Sequence, residues 1–88
     1  MIRESINLLP ILPMKRQSAA SIASLASRFD CTFTLEAQNV ILNAKSMLGL
    51  LSMALPESGD VVLCADGDDE AEAIRAMTDL VRRLTEEA

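Results

Sequence analysis

Stretches with an apolar residue at every second position alternate along this chain with stretches spaced at three and four. In 88 residues that alternation leaves few folds open. Ile2, Ile6 and Leu8 alternate with Arg3, Ser5 and Asn7, which predicts a half-buried strand. Pro10 and Pro13 predict an extended or turning connection with no helix in it. From about Lys15 the apolar positions become Ala19, Ile22, Ala23, Ala26 and Phe29, one face of a helix that should end near Asp30. Cys31, Phe33 and Leu35 return to strand spacing, and a turn through Ala37, Gln38 and Asn39 leads into a short strand from Val40 to Asn43.

The second half repeats the alternation. Ser46 is a plausible N-cap for a short helix from Met47 to Met53. Turn chemistry over Pro56 to Asp60 precedes a strand from Val61 to Ala65, and Gly67 closes it. Ala73, Ile74, Met77, Leu80, Val81 and Leu84 mark the clearest helix, with Asp68, Asp69 and Glu70 at its start and Arg82 and Arg83 near its end. The order β-α-β-β-α-β-α in one domain, residues 1–88, predicts an α+β open-faced sandwich. Four short strands cannot enclose a core alone, so helices should cover one face of the sheet and leave the other to water.

Composition narrows the chemistry. Half of the residues are hydrophobic, which suits a packed core, yet the aromatics are only Phe29 and Phe33. The chain has no aromatic platform for bases, and its net charge of −5 would repel a phosphate backbone, so no nucleic acid is expected as a partner. There is no histidine. That removes Cys/His zinc sites and every mechanism needing an imidazole; no metal and no cofactor is expected.

The N-terminal segment fails as a secretory signal. Pro10 and Pro13 break its apolar part, Glu4 sits beside Arg3, and Lys15 and Arg16 follow rather than precede it. The longest apolar runs are about half of what a bilayer requires, so no membrane partner is expected and the cytoplasm is the expected location. Pleat parity puts Cys31 inward with Phe33 and Leu35, and Cys64 outward between Leu63 and Ala65. Side chains on opposite faces of a sheet cannot form a disulfide, so both thiols should be free.

The segment Asn43 to Met53, "NAKSMLGLLSM", poses the sharpest question. Its apolar run is greasy nearly all round, and so short a helix cannot bury every side. Part of it should be core and part a docking face. Ser46 is either a plain helix cap or an exposed hydroxyl on which a phosphate would meet free backbone N–H groups. Lys15 and Arg16, at the start of a helix, oppose its dipole unless an anion or an acidic partner binds there.

Three motifs, together with the element order, resemble the HPr family, the histidine-containing phosphocarriers of the sugar phosphotransferase system. They are "NAKSMLGLLSMAL", "LCADGDDEAEAI" and "SRFDCTFTLE". The resemblance covers nearly the whole chain and implies a four-stranded antiparallel sheet covered on one face. It departs at the active-site motif, Gly-Leu/Ile-His-Ala-Arg-Pro-Ala, where this chain reads "PMKRQSA", Pro13 to Ala19. Lys15 stands in place of the histidine, Arg16 follows it, Gln17 replaces the arginine and Ser18 the proline.

The resemblance implies a regulatory, partner-binding protein rather than a phosphohistidine carrier, and no enzyme. Crh, a regulatory branch of that family, likewise lacks the histidine and keeps the serine. Ser46 matches the family's regulatory phosphoserine. Met14, Ala20, Met47, Leu48 and Leu51 match its docking surface. The implied partners are Enzyme I, an HPr kinase and a transcriptional regulator, engaged by a monomer. Two alternatives stand beside this: a phosphoryl carrier using another residue, and a domain of this fold recruited to an unrelated complex.

Overall fold

The computed structural model describes residues 1–38, 40–52 and 58–87. Its elements run β1 (Ile2–Asn7), a short 3-10 helix (Leu9–Ile11), α1 (Arg16–Ala26), β2 (Thr32–Ala37), β3 (Val40–Asn43), α2 (Met47–Ser52), β4 (Asp60–Asp66) and α3 (Glu70–Glu87). The strands form one antiparallel sheet in the order β1-β4-β2-β3. The expected α+β architecture is present.

Strand parity locates the core. Val61, Leu63 and Ala65 of β4 and Phe33, Leu35 and Ala37 of β2 point to one face. There they meet Ala19, Ile22, Ala23 and Ala26 of α1 and Ala73, Ile74, Met77 and Val81 of α3. Alanines on both helices let their axes approach the sheet and each other, while Phe33 fills the centre with Phe29 edge-on to it at 6.4 Å between ring centroids. The other face carries Arg3, Cys64 and Thr34 side by side across β1, β4 and β2.

Three expectations need correction. The proline segment does contain a helical turn. Leu9–Ile11 is a 3-10 helix with proline in its first two positions, where a missing N–H costs nothing, and it buries Leu8 and Ile11. Second, α1 stops at Ala26 rather than near Asp30. The Arg28 and Phe29 N–H groups reach back only three residues, to Leu25 and Ala26, so the chain tightens and leaves the helix. Phe29 still packs on the core from outside the helix. Third, α3 runs on to Glu87, so Arg82 and Arg83 lie inside it and its last turn has no base. Cys64 is on the outer face, as parity requires, and there it is only 5% exposed. Arg3 and Glu36 pair beside it at 2.6 Å. Its register partners Arg3 and Thr34 lie on either side.

The expected end of α2 at Met53 and the turn residues Pro56 and Glu57 lie outside the described residues, as does Asn39 of the β2–β3 turn. Gly59 enters β4 with φ +78°, and a Cβ there would stand 2.4 Å from the Leu9 nitrogen. Gly67, just after β4, is pressed against Cys31 in the same way, its missing Cβ 2.8 Å from the Cys31 Cα. No helix among the described residues is long and apolar enough to cross a membrane.

Candidate functional site

Lys15 is the N-cap of α1. Its backbone is extended, with φ −94° and ψ 158°, and its carbonyl accepts the Ala19 N–H at 2.9 Å. No side chain caps the first turn, and no acidic residue lies in it. The start of α1 therefore presents N–H groups without a helical partner beside two exposed cations, Lys15 and Arg16. At α2, by contrast, the Ser46 hydroxyl takes the Gly49 N–H of the first turn. At α1 the positive end of the dipole is left for something else.

Lys15, Gln17 and Ser18 line a cleft of about 480 Å³. Its apolar wall is the Pro10–Pro13 segment, and Leu84 and Glu87 of α3 complete it. Arg16 lies outside this lining, on the exposed side of α1. The role of Leu84 and Glu87 was not legible in the sequence, because the end of α3 meets the start of α1 only after folding. The cleft joins the Lys15 cation, hydroxyl and amide groups and the Glu87 carboxylate to an apolar wall, so an anionic group would be favoured at its α1 side and opposed at Glu87. Among the described residues no three histidine, cysteine or acidic side chains gather where a metal ion could sit.

Ser46 caps α2. Its Oγ accepts the Gly49 N–H at 3.1 Å and its carbonyl accepts the Leu50 N–H at 3.0 Å. A Cβ on Gly49 would stand 3.3 Å from that Oγ, so glycine leaves the hydroxyl its room. The turn before it is fixed by Asn43, whose side-chain oxygen accepts the Lys45 N–H and whose carbonyl accepts the Ser46 N–H. The Lys45 ammonium does not turn toward Ser46; it donates to the Phe29 carbonyl at 2.8 Å.

The apolar run on α2 divides within a single turn. Leu50 is 1% exposed and belongs to the core, whereas Leu48 is 77% exposed and Leu51 is exposed as well. Met47 is half-buried against the core, as is Met14 beside α1. Ala20 is half-buried on α1, one turn beyond Arg16. Since α1 packs against α2, Ala20 and the apolar residues of α2 lie on two adjoining helices.

Burial holds both thiols in the protonated form. Burial and the nearby Asp69 carboxylate raise the Cys31 pKa, and burial and Glu36 raise that of Cys64. Both cysteines are free.

A family model described as the PTS HPr component phosphorylation site matches residues 14–83. The phosphocarrier protein HPr of Neisseria meningitidis is 32% identical, over 92% of this chain and 91% of its own length. Among solved structures, HPr-C-His from Thermoanaerobacter tengcongensis superimposes with a TM-score of 0.83 at 34% identity, covering 93% of this chain and 92% of the other. The Bacillus subtilis protein Crh, seen as a dimer with a swapped domain, superimposes with a TM-score of 0.73 at 34% identity over 80% of each chain.

Proposed function

Because this chain belongs to the HPr family, we propose that it is a regulatory, partner-binding protein of the phosphoenolpyruvate-dependent sugar phosphotransferase system. In this reading it carries no phosphoryl group on histidine and is switched by phosphorylation of Ser46. The observation that carries the reading is the composition of the α1 start. The chain has no imidazole at all, and the helix end that faces the cleft offers Lys15, Gln17 and Ser18. A carrier needs a nucleophile that accepts phosphoryl and releases it readily. Lysine is an ammonium ion at neutral pH and has no lone pair to attack with. What remains is the capacity to bind: open N–H groups and two cations that favour an anion.

Charge segregation supports partner docking on the same side. No Asp or Glu falls between residues 5 and 29 or between residues 37 and 52, although the whole chain is at −5. α1 and α2 lie in these stretches with Lys15, Arg16, Arg28 and Lys45, and with the exposed Leu48 and Leu51. A partner with an acidic rim around an apolar centre would match them. Enzyme I, an HPr kinase or a transcriptional regulator would be read by Met14, Ala20, Met47, Leu48 and Leu51, with the protein acting as a cytoplasmic monomer and not as an enzyme. Phosphate on Ser46 would add about −1.5 to −2 charge beside Met47 and Leu48 and exchange the acidic preference for a basic one.

The test is incubation with an HPr kinase followed by mass spectrometry of the wild type and Ser46→Ala. Labelling of the wild type alone supports the switch. Equal labelling of both, or of neither, leaves Ser46 as a cap only.

A further inference from the structure

The peptide unit joining Phe29 to Asp30 is held from both sides. Its oxygen accepts the Lys45 ammonium at 2.8 Å, and its N–H donates to the Asp69 carboxylate at 2.8 Å. One peptide plane thus ties the turn before α2 to the start of α3. Lys45 is the neighbour of Ser46, and its own backbone is pinned by Asn43 at 2.9 Å. Only its side chain is left to swing.

We infer that Lys45 is a positioning residue shared between two acceptors, the Phe29 carbonyl and a phosphate on Ser46, so that phosphorylation of Ser46 loosens the Phe29–Asp30 peptide. The inference rests on the reading of Ser46 as a phosphorylation site. A carbonyl offers the ammonium a neutral acceptor, whereas a phosphate on the next residue offers a nearly doubly charged one. A hydrogen bond between two charged groups is the stronger of the two. Once Lys45 leaves, the Phe29 carbonyl, three residues beyond α1, loses its cation, and the peptide unit is held only through its N–H to Asp69. The effect of the phosphate would then reach beyond α2, to the ends of α1 and α3. By linkage, a change at Asp69 would return to Ser46 through the same peptide.

The experiment places phosphoserine at position 46 by genetic encoding, with no kinase present, in the wild type and in Lys45→Met and Lys45→Arg. Carbonyl shifts of Phe29 and hydrogen exchange of the Asp30 amide are read by NMR. In the wild type the phosphate should move the Phe29 carbonyl resonance and speed Asp30 exchange several-fold. In Lys45→Met both signals should already sit at the loosened position and the phosphate should add nothing, while Lys45→Arg should keep the wild-type response. An Asp30 amide indifferent to the phosphate in the wild type would overturn the inference, as would an equal response in Lys45→Met. Failure of a kinase to label Ser46 would count against the switch alone, because the phosphate here is installed without one.

Discussion

The Asp69 carboxylate accepts the Cys31 N–H at 3.0 Å, across 38 residues of chain. Its other oxygen takes the Asp30 N–H at 2.8 Å, so one side chain at the start of α3 fixes the entry to β2. The Asp30 N–H foremost, then the groups of Cys31, hold the Asp69 carboxyl below the usual carboxylate range. A carboxylate with a depressed folded value contributes stability that is complete above its unfolded value and fades as pH falls through the folded one.

Asp69→Asn should therefore lower stability at neutral pH and flatten its decline in acid. Urea midpoints measured from about pH 7 down to about pH 2.5 should converge between variant and wild type at the acid end. Some slope should persist from Glu70, held low by the Met1 ammonium first and by the Gly67 N–H second. Parallel acid limbs in the two proteins would mean that Asp69 is not the group that titrates.

At Ser46 the cap and the switch can be separated without a kinase. Ser46→Ala loses the hydroxyl that accepts the Gly49 N–H and should cost about 0.5–2 kcal/mol. Ser46→Asp supplies an equally good cap and a negative charge at the favourable helix end, so it should match the wild type in urea. A large loss in Ser46→Asp would show that this position does not tolerate charge.

Leu48 and Leu50 are two residues apart and should behave oppositely. Leu50→Ala empties a core position and should cost about 2–5 kcal/mol. Leu48→Ala removes an exposed side chain and should stay within about 0.5 kcal/mol of the wild type. If Leu48 belongs to the docking face, its substitution should weaken partner binding while leaving the unfolding curve in place.

The thiols offer a check on the sheet register. Cys31 and Cys64 are both buried and held protonated, so maleimide should modify the native protein slowly and both cysteines at once after denaturation. A native disulfide would require the two side chains on one face, against the pairing of Cys64 with Thr34 and Arg3.

Most of the fold was legible because binary spacing reports which side of an element is buried. Phe33, Leu35, Leu63 and Met77 all lie inward where their periods place them. What escaped depends on hydrogen bonds rather than on hydrophobicity. The early end of α1 follows from two three-residue N–H bonds, and the 3-10 turn from a proline in a position that needs no N–H. Lys45, which reads as a neighbour for charge on Ser46, is committed 16 residues away to Phe29. In the candidate site the residues of α1 could be named from the chain, since they are contiguous. Leu84 and Glu87 could not, since nothing local in α3 says which end of α1 it will meet.

The most direct measurement is incubation of the protein with phosphoenolpyruvate and Enzyme I, followed by quantification of protein-bound phosphate. A chain without histidine, with Lys15, Gln17 and Ser18 lining the cleft, should take up none. Lys15→His alone should recover little, because Gln17 and Ser18 also differ from the family's motif. Stoichiometric phosphate on the wild-type protein would contradict the non-carrier function and reveal a phosphoryl acceptor other than an imidazole.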